Sequence, residues 1–434
     1  MSGWRREPDG TRATTGSSTG RHRAPVRRVP RNGRSPWNRR RDRVFAALIV
    51  VVCLGAAVAV WSVSDQRGTV QRTAAAPAPR PPAPGSVPGA LTEMWSAASP
   101  ATPVPVAQGP TVVSAEGGEV LGRDAVTGEV RWRYARDLEL CTVALAWKRV
   151  LVVHRKELGC SEVTQLDPDT GRRTAQRNSD AELGTRLVDG RGQVTTTGRR
   201  LLVSWRDDLV KTNEYGEVPA LVNPGRQPRT GCTYGSVAAT SGRIGVVERC
   251  PEDPGDRLTV LKAVPEKSDK PEQVFTAVLA GRDAKVVAMS GDHTAVVLPE
   301  QRLLVIYGAE GDQRAAYPLD LPAADLGGDP KGGVVPTNEG AVGMFWFTGS
   351  TTVALSRSDL TPLWTLRGTL GPGTRFAGQY VLPIEGGLAV VDEGTGATVR
   401  TVGVDRHGYA GPVRLDSTGP VVLEQRGDQL AALK

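Results

Sequence analysis

A turn motif recurs along this chain of 434 residues, and its repetition restricts the folds available to the chain. The stretch GRDAVTGEVRW has an Asp three residues before Thr-Gly, and LDPDTGRR and VDEGTGATV repeat that spacing. Each copy lies between short runs of alternating apolar residues, as expected for a tight turn between antiparallel strands. Because Asp can accept hydrogen bonds from the turn backbone and Gly supplies a left-handed position, we interpret the motif as turn chemistry rather than a ligand site. The motif residues are Asp124, Thr127, Gly128, Trp132, Asp167, Thr170, Gly171, Asp392, Thr395 and Gly396.

Repetition at a period of about 34–50 residues predicts an all-β fold, a β-propeller with four strands in each blade. The last blade has sequence for only three strands, whereas residues 91–97, LTEMWSA, form a strand that precedes the first blade. We expect this strand to pair with residues 428–433 and close the ring, because closure removes exposed sheet edges. Eight blades fit the sequence, and seven is the alternative because the sixth and seventh repeats are short. The expected blades lie near residues 101–134, 139–177, 190–222, 231–279, 283–319, 332–367, 373–402 and 411–434.

The first copy of the motif resembles the tryptophan-docking repeat of quinoprotein-like (PQQ-like) β-propellers. That repeat reads Ala-x-Asp-x-x-Thr-Gly-Lys-x-x-Trp, and here Gly122 replaces the Ala and Glu129 the Lys. In that family the Trp of the outer strand packs between neighbouring blades. The resemblance therefore implies a packing role for Trp132 and, on looser matches, for Trp95 and Trp364. It implies a fold and not a function.

Two repeats lack the docking residue that the resemblance implies. Ala175 and Arg400 occupy the Trp position in the second and seventh repeats. We expect the docking contact at these two positions to depart from the Trp contact of the family.

An uncharged segment precedes the repeats and predicts a membrane anchor. Residues 44–63 are long enough to span a bilayer as a helix, and four arginines lie within the five residues before them. The positive-inside rule then places the N-terminus in the cytoplasm and the repeats outside. A cleaved signal peptide is the alternative, but its charged region would be much shorter than 43 residues.

The domain boundaries follow from composition. Residues 1–43 are predicted to be a disordered, Arg-rich cytoplasmic tail, residues 44–63 a transmembrane helix, residues 64–90 an extended Ala/Pro-rich linker, and residues 91–434 the propeller. The tail, anchor and linker resemble those of membrane-anchored quinoprotein-like propellers of high-GC Gram-positive bacteria. The tail carries a net charge of +10 and the whole chain +8, so the rest is close to neutral. We therefore expect no nucleic-acid partner, since the basic excess lies outside the folded part.

Four cysteines follow the membrane segment and predict two disulfides. Cys141 and Cys160 are 19 residues apart, and Cys232 and Cys250 are 18 apart. Each pair flanks a predicted hairpin, which brings its ends together, and an even number of cysteines in an oxidising space favours pairing.

The sequence lacks the residue patterns of common enzymatic sites. Quinoprotein dehydrogenases resemble this chain in their repeats, but they use an adjacent-Cys disulfide and calcium ligands on long loops, and this sequence has no Cys-Cys pair. His154, His293 and His407 are isolated in sequence from other metal-ligating residues. We expect no catalytic residue, cofactor or metal.

The favoured interpretation is a non-enzymatic, membrane-anchored extracytoplasmic propeller that acts as a protein-interaction scaffold in the cell envelope. In plan it resembles the propeller lipoprotein that assists outer-membrane protein assembly. The alternatives are a ligand sensor that signals through the cytoplasmic tail, and a quinoprotein dehydrogenase. The longest polar loops, residues 251–257 and 264–273, are expected to border the contact surface for envelope proteins.

Overall fold

The computed structural model describes residues 39–62, 64, 67–219 and 223–434. The chain divides into two compact units, residues 1–64 and 65–434. In the first unit, helix α1 (Arg40–Ser62) is long and apolar enough to cross a membrane. Its 23 residues correspond to a length of about 35 Å. Most of the predicted cytoplasmic tail, residues 1–38, lies outside the described residues.

The second unit is an eight-bladed β-propeller, as the repeats predict. Three strands precede the first blade: β1 (Thr69–Arg72), β2 (Ala90–Leu91) and β3 (Glu93–Ala98). Blade 1 contains β4 (Val106–Gln108), β5 (Thr111–Glu116), β6 (Glu119–Asp124) and β7 (Val130–Arg136). Blade 2 contains β8 (Leu140–Ala146), β9 (Arg149–Lys156), β10 (Gly159–Leu166) and β11 (Arg173–Ala181). Blade 3 contains β12 (Leu187–Asp189), β13 (Val194–Thr196), β14 (Leu201–Trp205) and β15 (Lys211–Gly216). Blade 4 contains β16 (Thr233–Thr240), β17 (Arg243–Arg249), β18 (Arg257–Lys262) and β19 (Gln273–Val278).

The remaining four blades follow the same plan. Blade 5 contains β20 (Lys285–Ser290), β21 (His293–Leu298), β22 (Leu303–Tyr307) and β23 (Gln313–Pro318). A short helix α2 (Ala323–Leu326) and a 3₁₀ helix (Lys331–Gly333) lead to blade 6, with β24 (Thr337–Glu339), β25 (Gly343–Phe347), β26 (Thr351–Ser356) and β27 (Pro362–Arg367). Blade 7 contains β28 (Thr374–Phe376), β29 (Gln379–Ile384), β30 (Gly387–Val391) and β31 (Thr398–Val404). Blade 8 contains β32 (Val413–Thr418), β33 (Val421–Arg426) and β34 (Gln429–Leu433).

The two ends of the propeller carry different connections. The first strands of most neighbouring blades contact each other, so these strands line the central axis. Because the strands of each blade are antiparallel, the turns between first and second and between third and fourth strands lie at one end, here called the hairpin end. The turns between second and third strands and the connections between blades lie at the other, the crossing end. In blade 1, for example, residues 125–129 lie at the hairpin end and residues 117–118 at the crossing end.

The third strand of the chain completes the last blade and closes the ring. Strand β3 pairs antiparallel with β34, with Ser96 opposite Ala431. The N–H of Thr92 donates to the carbonyl of Lys434 at 2.9 Å, and the reverse bond measures 3.0 Å. The predicted ring closure is therefore confirmed. In the described part of the chain, eight apolar clusters lie one at each interface between neighbouring blades, so each blade depends on its neighbours for burial.

The Ala/Pro-rich segment after α1 is not a free spacer in the structure. Strand β1 pairs antiparallel with β7 at the outer edge of blade 1, and β2 pairs parallel with β31 at the outer edge of blade 7. Between them, Pro81 packs on Gly419 of blade 8. The sequence predicted the extended conformation but not the pairing, which arises because the outer strands offer unpaired backbone groups.

One of the two irregular docking positions explains how this segment is held. Arg400, which replaces the expected Trp in blade 7, donates to the carbonyls of Val87 and Pro88. Val87 and Leu91 are buried against this edge. Arg400 therefore binds the N-terminal segment where a Trp would dock on a blade.

Both predicted disulfides are present. Cys141 and Cys160 join the first and third strands of blade 2, with their Cα atoms 6.0 Å apart. Cys232 and Cys250 close the first hairpin of blade 4, with a Cα separation of 4.2 Å. Both bonds lie at the crossing end.

Candidate functional site

The recurrent turn forms a platform for an aromatic ring of the preceding blade. Asp392 accepts hydrogen bonds from the backbone N–H and the hydroxyl of Thr395, at 2.8 and 2.9 Å, and these bonds hold the pKa of the Asp392 carboxyl below its usual value. Gly396 has φ +72°, and a Cβ added there would lie 2.5 Å from the ring of Trp364. The indole N–H of Trp364 donates to the carbonyl of Glu393 at 2.9 Å.

The same arrangement occurs at two other blade interfaces. Trp132 of blade 1 lies over Gly171 of blade 2 and donates to the carbonyl of Pro168 at 2.8 Å. Trp95 of blade 8 lies over Gly128 of blade 1 and donates to the carbonyl of Ala125 at 3.1 Å. In all three cases the acceptor carbonyl lies three residues before the glycine.

The Asp and Thr residues of the other two turns stabilise them in the same way. Asp124 and Asp167 accept hydrogen bonds from the backbone N–H of Thr127 and Thr170, both at 3.0 Å. The motif residues therefore hold neighbouring blades together at the hairpin end and do not line the central channel.

The histidines are also separate from one another. His154 is buried beside Tyr134, and burial together with the nearby Arg136 lowers its pKa to about 4. His293 begins β21, and the exposed His407 lies in a loop with its Nδ1 3.5 Å from Asp405. These three residues do not converge on one site.

Polar side chains from two distant blades meet in the central channel, a feature that sequence analysis did not identify. A cavity of about 330 Å³ lies among the first strands of blades 3, 4, 5 and 6. At its hairpin end, Arg191 donates to both carboxylate oxygens of Glu339 at 2.6 and 2.7 Å. This ion pair links blade 3 to blade 6. Burial and the charge of Glu339 raise the pKa of the neighbouring Asp189.

A segment between blades 5 and 6 lies over the crossing end of the channel. This segment, residues 319–336, is here called the crossing segment. Thr197 of blade 3 donates to the carbonyl of Gly332 at 2.7 Å, and Arg249 of blade 4 pairs with Asp329 at 2.6 Å. Lys285 of blade 5 donates to the carbonyl of Gly327 at 2.8 Å. The crossing segment is therefore tied to three blades.

A second cavity, of about 180 Å³, lies beneath the crossing segment. Arg186, Lys331 and Arg414 line it. Burial lowers the pKa of Arg186, and burial together with the nearby Arg186 lowers that of Arg414 to about 10. A lowered pKa shows that the charged form of each side chain is poorly compensated. This basic cavity is the second feature that the sequence did not reveal, because its residues belong to distant repeats.

The fold and its docking turns define the class of protein: the chain contains a PQQ-like eight-bladed β-propeller. Residues 59–221 match the model of a family described as "Outer membrane protein assembly factor BamB". The match extends from α1 to the region just after blade 3. No curated protein sequence matches the chain.

Solved structures resemble this chain at low sequence identity. The computationally designed Ika8 protein is 12% identical, with 80% of this chain and 99% of that chain covered and a TM-score of 0.53. BamB from Moraxella catarrhalis is 13% identical, with coverages of 79% and 99% and a TM-score of 0.48. The dihydro-heme d1 dehydrogenase NirN is 16% identical, with coverages of 82% and 73% and a TM-score of 0.49. A propeller of this kind fits a general role in protein interaction.

Proposed function

We propose that the chain is a non-enzymatic scaffold of the cell envelope, anchored by α1 with its N-terminus in the cytoplasm and its propeller outside. The observation that carries the protein-assembly role is the match of residues 59–221 to the model of an assembly factor. A rigid propeller suits this role because it presents many loops on one frame.

The disulfides support the proposed compartment. Structural disulfides persist in oxidising spaces and are rare in the cytoplasm. Both bonds lie in the propeller, whereas Arg39, Arg40, Arg41 and Arg43 lie at the opposite side of the apolar run in sequence. The positive-inside rule and the disulfides therefore favour the same orientation.

Blade 4 offers a loop that suits partner binding. Residues 264–273 connect β18 to β19 at the hairpin end, and Asp269 in this loop accepts hydrogen bonds from Asn223 at 2.7 Å and Arg226 at 2.6 Å. Lys267, Lys270 and Val264 are exposed. The loop thus presents cationic and apolar groups from a backbone that is already held in place, which reduces the entropy lost on binding.

The other polar loop of this blade lies elsewhere. Residues 251–257 connect β17 to β18 at the crossing end, and Asp253 in this loop pairs with Arg257 at 2.5 Å. The two loops therefore lie at opposite ends of blade 4, because successive turns of an antiparallel blade alternate between ends. A contact surface at a single end can include only one of them. We retain the loop at residues 264–273 as the proposed contact.

Cross-linking in living cells with a lysine-reactive reagent tests the proposal. We expect Lys267 and Lys270 to cross-link to other envelope proteins. In a second experiment, a photo-cross-linker placed at position 264 captures the same partners. The double substitution Lys267→Glu/Lys270→Glu should reduce the amount of partner that it captures. Lys148→Glu, in a hairpin-end turn of blade 2, is the matched control and should leave recovery unchanged. Cross-links that never include the 264–273 loop would remove this contact surface from the proposal. Turnover of alcohols or sugars with bound pyrroloquinoline quinone would contradict the non-enzymatic role.

A further inference from the structure

The cavity beneath the crossing segment has cationic side chains on otherwise neutral walls. Arg186 comes directly before β12, Arg414 lies on β32, and Lys331 belongs to the crossing segment. Within the described ranges, no acidic side chain lines this cavity. The apolar part of the wall includes Pro103, Val104, Leu187, Val335, Pro336 and Pro372.

The two arginines lack a counter-charge. Among the residues that the structure describes, neither guanidinium forms a hydrogen bond or an ion pair, and Nη1 of Arg414 is buried without a hydrogen-bond partner. The contact that Arg414 does make is with Phe347, whose ring centre lies 5.8 Å from its Cζ. Both arginine side chains are partly buried, and a cation that is partly removed from water is costly unless an anion compensates it.

The acidic groups around the cavity do not pair with the two arginines. Asp325 accepts hydrogen bonds from Thr348 and Ser350, and Asp329 pairs with Arg249. Asp416, two residues after Arg414 on β32, accepts a bond from the N–H of Ser417 at 2.7 Å and makes no ion pair in the described structure. The anion that would balance the two arginines is therefore not supplied by these neighbouring residues.

We propose that this cavity binds a small organic oxyanion, with its carboxylate or phosphate group between Arg186 and Arg414 and its apolar part on the proline and valine wall. Guanidinium groups suit such anions because their N–H donors match two oxygens at once. The exposed Lys331 lies at the mouth of the cavity, where it attracts the anion without being desolvated.

The crossing segment completes the site. Gly332 lies against the aliphatic part of Arg186, with an added Cβ only 2.4 Å from its Cγ. Thr197, which donates to the carbonyl of Gly332, also accepts a bond from the backbone N–H of Arg186 at 2.8 Å. These contacts hold Arg186 beside the cavity. The site lies at the crossing end, away from the 264–273 loop, so the proposal stands independently of the scaffold function.

Calorimetric titration of the full chain in neutral detergent and low-salt buffer tests the site. The probes are benzoate and phenyl phosphate, which carry an apolar group, and acetate and inorganic phosphate, which do not. We expect saturable binding of one molecule per chain, with the aromatic anion of each pair binding more tightly. Arg186→Gln and Arg414→Gln should each weaken binding by at least about tenfold, the effect of losing one charge-assisted hydrogen bond.

A charge-matched control separates this effect from a general change in charge. Arg314→Gln removes an exposed arginine that pairs with Asp312 and should leave binding unchanged. Arg414→Gln should also raise the melting temperature of the ligand-free chain, since it removes an uncompensated charge. At the same benzoate concentration it should reduce the upward shift that benzoate causes in the unsubstituted chain. This result shows that weak binding is not due to misfolding.

Three results would overturn the proposal. The first is that none of the four probes binds at millimolar concentration. The second is that Arg186→Gln and Arg414→Gln bind the probes as tightly as the unsubstituted chain does. The third is that inorganic phosphate binds more tightly than phenyl phosphate and acetate more tightly than benzoate. Loss of protein partners in the cross-linking experiment would not bear on this site.

Discussion

The docking of Trp132 on Gly171 permits a test of how the recurrent turn holds the ring together. Trp132 is fully buried, so Trp132→Ala should lower the free energy of unfolding by about 3–5 kcal/mol. Gly171→Ala should act through two effects. A left-handed backbone, here with φ +69°, costs an Ala about 1–2 kcal/mol. Overlap of the new methyl with the indole ring, 2.6 Å away, adds about 1–3 kcal/mol.

The double substitution separates these effects. With Trp132→Ala in place, the methyl of Gly171→Ala meets no ring, so only the backbone cost of about 1–2 kcal/mol should remain. The difference between the two backgrounds should therefore be about 1–3 kcal/mol.

Gly386→Ala is the matched control. Gly386 has φ +71° and open space around a Cβ, so its substitution should cost about 1–2 kcal/mol in both backgrounds. Urea unfolding of the purified chain in detergent, followed by far-UV circular dichroism, measures all five variants. An equal cost of Gly171→Ala with and without Trp132 would refute the docking mechanism.

Three further predictions concern topology, closure and pH. Protease added to intact spheroplasts should remove the propeller and spare the N-terminal tail; digestion of the tail would contradict the proposed orientation. Deletion of residues 1–64 should leave a cooperatively folding propeller. Deletion of residues 1–99 also removes β1, β2 and β3 and should lower the melting temperature sharply. Equal melting temperatures of the two shortened proteins would disprove closure by β3. Burial raises the pKa of Asp416 from 3.8 to about 6, so the folded state binds this proton more tightly than the unfolded state does. The free energy of unfolding should therefore fall by up to about 3 kcal/mol as the pH rises from about 4 to above 6. Asp416→Asn should therefore raise the melting temperature at pH 7.5 and not at pH 4, whereas the exposed control Asp428→Asn should change neither; a pH-independent effect of Asp416→Asn would show that its carboxyl does not titrate in this range.

Features that depend on local pattern could be predicted from the sequence alone. Alternating apolar residues and turn residues place the strands, and the incomplete eighth blade places β3 beside β34. The spacing of Cys232 and Cys250 around one hairpin was enough to predict their bond, because hairpin geometry brings its ends together. The docking role of Trp132 came from the resemblance to a repeat family.

Features that depend on closure of the ring could be seen only in the folded structure. Arg191 and Glu339 are 148 positions apart and carry no sequence signal, yet the ring brings them within hydrogen-bonding distance. Arg186 and Arg414 meet at one cavity for the same reason. The pairing of β1 and β2 depended on which outer edges were open, which no local pattern specifies. Periodicity defines which face of a strand is buried, but the partners of charged side chains across the axis follow from the number of blades and their relative placement.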